Sequence, residues 1–197
     1  MKNVSENFKN QLASGNRRYI KSADIILKDH TILHISNVDL WQNGMKMEDA
    51  TSSESSFDIG SVIIGSLTLT LNNISEQFSE YDFTDCVASN VEIALVLQDE
   101  TVESLKYGEF CLSDQKYNGS IITLEFYNNL HKFDKSYSES HLSYPASLGS
   151  IVQDACDVCG VVLQSVTFDH DDYVVTERPD STSLTFRQVL QWVGQIS

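Results

Sequence analysis

Apolar and polar residues alternate strictly in one stretch of the chain. Over residues 66–71, leucines alternate with hydroxyl residues, which is typical of a β-strand with one buried and one exposed face. The alternation belongs to a longer predicted strand, 57–71, in which Gly60 and Gly65 indicate a bulge or a close backbone approach. We expect the leucines of this stretch to fill the core of a β-domain. They are Leu67, Leu69 and Leu71.

Several other segments have the composition of short strands and are separated by turn residues. An Asn43-Gly44 pair predicts a turn directly before the alternating Met45 and Met47. Many short strands at this spacing favour a barrel or sandwich over alternating βαβ units. The further predicted strands cover residues 23–27, 31–35, 91–97, 109–112, 121–127, 161–166 and 174–175.

Helical spacing of apolar residues appears in three places. The first predicted helix runs over 5–12, with Ser5 as its cap and Gly15 after its end. The second begins after Ser147 and ends at Gly160. A last helix is capped by Ser183 or Thr185, and its apolar face consists of Phe186, Val189, Leu190 and Val193.

Charge excludes several kinds of partner. The 197-residue chain, long enough for one domain or one and a half, has a net charge of −15. Residues 1–50 carry seven basic and six acidic side chains, and residues 51–197 carry six and 22. An acidic body repels phosphate, which argues against nucleic acid and anionic membranes as partners. The Arg17-Arg18 pair is too small for a nucleic-acid patch. A basic partner surface would suit the chain.

The four cysteines form no recognised site. Without a secretory signal, reduced thiols are the default. Cys156 and Cys159 form a single CxxC, whereas zinc sites need a second pair and redox motifs a thioredoxin-like context. Structural thiols on an amphipathic helix are the favoured interpretation, with metal or redox chemistry as the alternative. The other two thiols are Cys86 and Cys111.

Candidate catalytic residues are sparse, and no phosphate-binding, nucleophile-elbow or zinc-protease motif occurs. His30 and His34 lie near a predicted turn, where surface histidines are common. The run 169–172 could hold a hard cation, but it lacks the spacing of a calcium loop and favours a solvated turn. A second acidic group could form a glycosidase pair, although an ordinary acidic loop is the favoured interpretation. Its members are Glu76, Glu80, Asp82 and Asp85. We therefore predict no catalytic, cofactor or metal residue.

The order of several segments resembles a known family more closely than any single motif does. The segments are FDIGS (57–61), GSLTLTLNN (65–73), FSEYDF (78–83), YGEF (107–110), YNNLHKFD (127–134), YPASL (144–148), the helix up to 159–161 and FRQVL (186–190). Together they resemble prophage tail proteins of Gram-positive bacteria related to the baseplate hub of contractile phages. In siphophages the counterpart is the N-terminal part of the tail-associated, or tail-tip, protein. Asn128 and Leu130 depart mildly from the family pattern, where Asp and Met are common.

The resemblance implies a fold class and a structural function. The expected class is α+β and β-rich: an N-terminal helical segment (1–18), a tail-tube-like β-barrel (19–140) and a partial α/β domain (141–197). Because the chain stops inside a helical pattern at Ser197, we expect it to be a fragment of a longer protein. A second tube-like domain, and sometimes a cell-wall hydrolase, would follow in the missing part. The Ser-rich loop 49–56 is expected to order on assembly.

The family also implies location and partners. The chain would be synthesised in the bacterial cytoplasm and become a virion component, with no enzyme activity and no cofactor. It would form a ring, commonly a trimer, that caps the tail tube and contacts the distal tail or baseplate proteins. Sequence-specific nucleic acid and membranes are not expected partners. The alternatives are a cell-wall hydrolase and a carbohydrate-binding β-module.

Overall fold

The computed structural model describes residues 4–48, 62–163, 165, 167–179 and 183–196, which fall into two compact units. The first contains the described residues up to 48 and 66–128, and the second contains the other described residues. The predicted α+β, β-rich class is confirmed. The elements are α1 (Glu6–Ala13), β1 (Arg18–Ile26), β2 (Ile32–Ile35), β3 (Leu40–Glu48), β4 (Ser66–Asn72), β5 (Val87–Val96), β6 (Val102–Lys106), β7 (Phe110–Asn118), β8 (Ile121–Asn128), β9 (Ala146–Ser147), α2 (Leu148–Cys159), β10 (Val174–Val175) and α3 (Phe186–Ile196). Two 3-10 helices cover Asn129–Asp134 and Tyr137–Glu139.

The first unit is built on one antiparallel sheet with strand order β2-β1-β5-β7-β8-β4-β3, and β6 pairs with β5 outside this path. The predicted leucine face of β4 is confirmed, because all three leucines are fully buried. Each leucine lies opposite a buried residue of β8, so the two strands form the centre of the core. The opposed pairs are Leu67 with Phe126, Leu69 with Leu124, and Leu71 with Ile122.

The sheet does not close into a barrel, and the predicted barrel is wrong in this respect. Within the described residues, no ladder joins the two edge strands β2 and β3. Strand β2 ends at Ile35, so the backbone of β1 beyond it meets a side chain instead of a strand. The amide of Asn37 donates to Tyr19 O at 3.0 Å and accepts from Lys21 N at 2.8 Å. Lys21 Nζ then donates to Met45 O of β3 at 3.3 Å. The side chains of Asn37 and Lys21 thus lie where a closed barrel would have a ladder of backbone hydrogen bonds, and we call this contact the seam.

A corner of residues 36–39 carries the chain from one edge of the sheet to the other. Asp39 Oδ2 accepts from Ser36 N at 2.9 Å and from Ser36 Oγ at 2.8 Å. The backbone O of Asp39 accepts from Asn72 N at 2.8 Å. This corner is therefore fixed locally by an Asp turn and anchored to β4.

Asn43 and Gly44 do not form a turn, so that prediction is wrong. Both lie inside β3, where the register with β4 shifts between Leu40 and Met45. A Cβ on Gly44 would overlap the backbone O atoms of Thr70 and Trp41. The glycine is therefore required by a close approach of two backbones and not by a turn.

In the second unit, α2 and α3 pack over a shared core, with the short β9–β10 pair beside α2. The predicted helix limits at Ser147 and Gly160 are confirmed: the Ser147 Oγ accepts from Ser150 N, and Gly160 adopts a positive φ of 65°. At the start of α3, Thr185 Oγ1 accepts from Gln188 N, and Gln188 Oε1 accepts from Thr185 N. This reciprocal capping box selects Thr185 over Ser183.

The strand predicted for 161–166 is wrong where it can be compared. Residues 161–163 and 165 form no strand, and Val162 is 90% exposed. Residues 164 and 166 lie outside the described part of the chain, as do the predicted strand residues 57–61 and the loop 49–56. The β-propensity of the apolar residues 161–163 is therefore not realised.

Replacing Gly44 with alanine should destabilise the first unit by about 1–3 kcal/mol, because the new methyl group forces backbone atoms of β3 and β4 apart. Urea denaturation of the full chain measures this change. Gly108→Ala is the matched control, since a Cβ there meets no atom within 4 Å. Equal stability of the two variants would contradict the close approach.

Removing the Asn37 side chain should cost about 1 kcal/mol, because two exposed hydrogen bonds of the seam are lost. Asn37→Asp separates the two bonds: it keeps the acceptor for Lys21 N but loses the donor to Tyr19 O. We expect Asn37→Asp to be less stable than the parent chain, because a carboxylate oxygen then faces the acceptor Tyr19 O. An Asn37→Ala variant as stable as the parent would show that the seam contributes nothing.

Candidate functional site

Three of the four cysteines are buried. Cys156 and Cys159 are buried on the inner face of α2, and burial raises the pKa of each thiol. Cys86 is buried in the core of the first unit, where desolvation raises its pKa to about 12. All four thiols are free of disulfides. A raised pKa disfavours the thiolate that redox and metal chemistry need.

The two histidines have different surroundings. His30 occupies the turn between β1 and β2 with a φ of 68°. His34 lies on β2, and its Nδ1 is 2.7 Å from Asp24 Oδ1. The second oxygen of Asp24 accepts from the amide of Asn90 at 2.7 Å. The Asn90 hydrogen bond is the main reason that the pKa of Asp24 is lowered; burial opposes it and His34 adds to it.

The first acidic group lies in the loop between β4 and β5, where two of its members are engaged. Asp85 forms an ion pair with Lys28 at 2.8 Å, and this contact raises the pKa of Lys28. Hydrogen bonds from the Thr84 side chain and from Thr84 N, the latter at 2.9 Å, lower the pKa of Asp82. Glu76 has a φ of 58° in a turn. Asp82 and Asp85 thus make contacts that are ordinary for residues of a loop. In the part of the chain that is described, no group of His, Cys, Asp and Glu side chains could hold a metal.

The second acidic group, 169–172, forms a turn before β10 that contacts the start of α2. The O atoms of Asp171 and Tyr173 accept from Gly149 N at 2.8 Å and from Leu148 N at 3.0 Å. This loop therefore satisfies backbone donors that a helix start leaves open.

Beside that turn, α2 forms one wall of an open groove of about 640 Å³. Four carboxylates and no basic side chain are among its lining residues. One of them, Asp154, is already engaged by Ser140 Oγ at 2.6 Å and His141 N at 3.2 Å. The potential of the groove favours cationic groups. The four carboxylates are those of Asp154, Asp157, Asp171 and Asp172.

A smaller cavity in the first unit was missed by sequence reasoning. It lies between α1 and the β5–β6 turn, has a volume of about 250 Å³ and is lined mostly by side-chain amides. Gln11 lies three residues after the buried Phe8, on the face that α1 buries. The three-residue spacing of Phe8 and Gln11 is the sequence pattern that could have indicated this cavity. The lining residues are Asn7, Asn10, Gln11, Leu97, Gln98 and Asp99.

Polar residues of the segments quoted for the family resemblance contact one another. Asn73, at the end of 65–73, accepts from Phe78 N at 2.8 Å and donates to Ser79 Oγ at 3.1 Å. Its side chain thereby fixes the start of 78–83.

The same holds in the second unit. Asp134 Oδ1 of segment 127–134 accepts from Arg187 Nε of segment 186–190 at 2.6 Å. Phe133 and Phe186 are buried in the same core. Segments that lie far apart in sequence are thus in contact in the folded chain.

Tyr144 of segment 144–148 reaches the same core through Tyr137, which lies outside the quoted segments. Its hydroxyl lies 2.7 Å from that of the buried Tyr137. The Tyr137 ring packs edge-on against Phe186, with ring centres 5.0 Å apart, and lies under the guanidinium of Arg178. The YPASL segment is therefore tied to the core between α2 and α3.

Comparisons with known proteins found structural likeness only. No protein-family model and no curated protein sequence matches the chain. Among solved structures, the 43 kDa tail protein of prophage MuSo2 from Shewanella oneidensis is similar, with 11% identity and a TM-score of 0.45 over 89% of this chain and 50% of that one. The virion of a native gene transfer agent particle contains another similar chain, with 12% identity and a TM-score of 0.40 over 73% and 50%. The chain thus spans about half the length of each.

Within the described residues, no helix combines the length and the apolar composition that crossing a membrane requires.

Asp24→Asn should lower stability in a pH-dependent way. Because the folded-state pKa of Asp24 lies below its ordinary value, its contribution is present above the unfolded pKa of about 3.9 and is lost as pH falls through the folded pKa. The difference in free energy of unfolding between parent and variant should therefore be larger at pH 7 than at pH 3. Denaturant titration at both pH values measures it, and His34→Ala, which removes a lesser contributor, should show a smaller effect. A difference independent of pH would contradict this role.

Proposed function

We infer that the chain is a structural subunit of a phage or prophage tail, positioned at the hub or tail tip. There it would join the tail tube to the baseplate or tip as part of a ring. The observation that carries this proposal is that two pairs of family-like segments are held together by side-chain contacts. Asn73 organises the start of segment 78–83, and Asp134 binds Arg187. Residues of the segments that resemble the family therefore make contacts that hold the fold together.

The proposed domain organisation follows the resemblance. A helical segment (1–18) precedes a tube-like β-domain (19–140), and residues 141–197 begin a small α/β domain. The sheet with its buried leucine face suits a ring subunit, because a ring needs subunits whose core stays packed. The sheet is not closed by a ladder, and side-chain contacts at the seam take its place. The core of the sheet is nevertheless buried.

The proposed partners are further copies of the chain in a ring, a trimer in the full-length protein, together with the tail tube and the distal tail or baseplate proteins. A net charge of −15 favours basic surfaces on those neighbours. The same charge disfavours adhesion of DNA passing nearby. The location that follows is the virion, after synthesis in the bacterial cytoplasm.

A cell-wall hydrolase is the less favoured function. Of the carboxylates considered for it, Asp85 is paired with Lys28, and Asp82 caps its own turn. A general acid needs a carboxyl whose pKa is raised, whereas the pKa of Asp82 is lowered.

The proposal is tested by locating the chain in particles from the bacterium that carries its gene. Prophage is induced, tailed particles are purified, and antibodies raised against the chain are applied in immunogold negative-stain microscopy. We expect gold at the tail tip, on intact particles or after mild disruption that exposes the hub.

A matched immunoblot of denatured particles is the control for a hidden epitope. A chain absent from that blot, or gold along the tube and head only, would overturn the proposal. A strain deleted for the gene should yield no label and no complete tails, whereas normal tails from that strain would also contradict a hub role.

A further inference from the structure

The turn of the β7–β8 hairpin carries a chemically labile pair of residues, Asn118-Gly119. We propose that Asn118 is a site of spontaneous modification, at which the side-chain amide is converted through a cyclic imide to aspartate and isoaspartate. The sequence contains one other Asn-Gly pair, Asn43-Gly44. Because the two pairs are identical in sequence, their surroundings in the fold decide which of them reacts.

The reaction needs only the chain itself and water. The backbone N of the glycine loses its proton to solvent and attacks the side-chain carbonyl carbon of the asparagine. A new C–N bond forms, the C–N bond of the side-chain amide breaks, and the amide nitrogen takes up a proton and leaves as ammonia. Water then opens the imide ring at either carbonyl, which gives an aspartyl or an isoaspartyl linkage. Glycine in the second position favours ring closure, because it has no Cβ to hinder the approach.

Asn118-Gly119 lies where this attack meets little resistance. Both residues are exposed. Gly119 has a φ of 57°, and a Cβ built on it would meet no atom within 4 Å. Among the described strands, β7 beyond Leu112 pairs only with β8. Turning the peptide between the two residues into the reactive geometry therefore disturbs only the last pair of one ladder, and such ends open at low free-energy cost.

The backbone at Asn43-Gly44 is held against the same rotation. Both residues lie inside β3. A Cβ on Gly44 would overlap the backbone O of Thr70 in β4, so this peptide has no room to turn unless β3 separates from β4. The strand is paired with β4 on both sides of the glycine, at Leu40 and Met45. The reaction at Asn43 therefore requires local unfolding of the sheet, which the buried leucine face of β4 opposes.

The modification changes both the charge and the backbone of the hairpin. Each product adds one negative charge to a chain that is already acidic. The isoaspartyl form also lengthens the backbone at the end of β7 by an extra carbon, which is incompatible with the present pairing of Asn118 with Ile121.

The test follows both sites in one sample of the full chain at mildly alkaline pH. Trypsin separates them into peptides 29–46 and 117–132, and mass spectrometry with fragmentation measures the conversion of amide to acid at each asparagine. In the folded chain, Asn118 should react at least about tenfold faster than Asn43, because only the open fraction of β3 is reactive. In the chain unfolded by urea the two rates should be similar, since the local sequence is then all that matters.

Equal rates at the two sites of the folded chain would overturn the proposal. So would an Asn118 that stays intact in the folded chain, or a lack of reaction at both sites in urea. Asn118→Gln is the matched variant: its side chain must close a larger ring, so residue 118 should stay unmodified while Asn43 still reacts in urea. Acid formation at residue 118 of this variant at the parent rate would equally contradict the imide route. The measurement uses the isolated chain, so its outcome is independent of the proposed role in the tail.

Discussion

The burial of one leucine face determines the rest of the first unit. Strand β4 lies between β3 and β8, and its leucines meet the buried side chains of β8 at matched register. Each fully buried leucine stabilises the fold by about 1.5–3 kcal/mol. A slip of one residue would move all three to the other face of the sheet. The register of β4 therefore also sets where β3 must lie, and with it the close approach at Gly44.

The features that the sequence predicted correctly are those that depend on residues close together along the chain. The period of β4, the caps at Ser5, Ser147 and Thr185, and the left-handed Gly160 all follow from neighbours in sequence. Strand β6 was missed because its VESLK sequence carries two charges and lacks a clear period. It forms because the adjacent β5 offers a paired edge.

The errors share a cause, which is contact at long range. Asn43-Gly44 has the composition of a turn, but Thr70, distant in sequence, requires the glycine. Barrel closure depends on the length of β2, and four residues leave part of β1 to the side chain of Asn37. The amide cavity brings α1 together with the β5–β6 turn, which lies far from it in sequence. For the same reason, the contacts between family-like segments emerged only in three dimensions.

The seam also makes the first unit easier to deform at one place than elsewhere. Most neighbouring strands of the sheet are joined by rows of backbone hydrogen bonds, whereas the seam relies on the side chains of Asn37 and Lys21. Local opening begins where such cooperative rows are missing. Strands β2 and β3 can then separate slightly while the leucine core stays buried. The first unit can therefore adjust at this one place without unfolding.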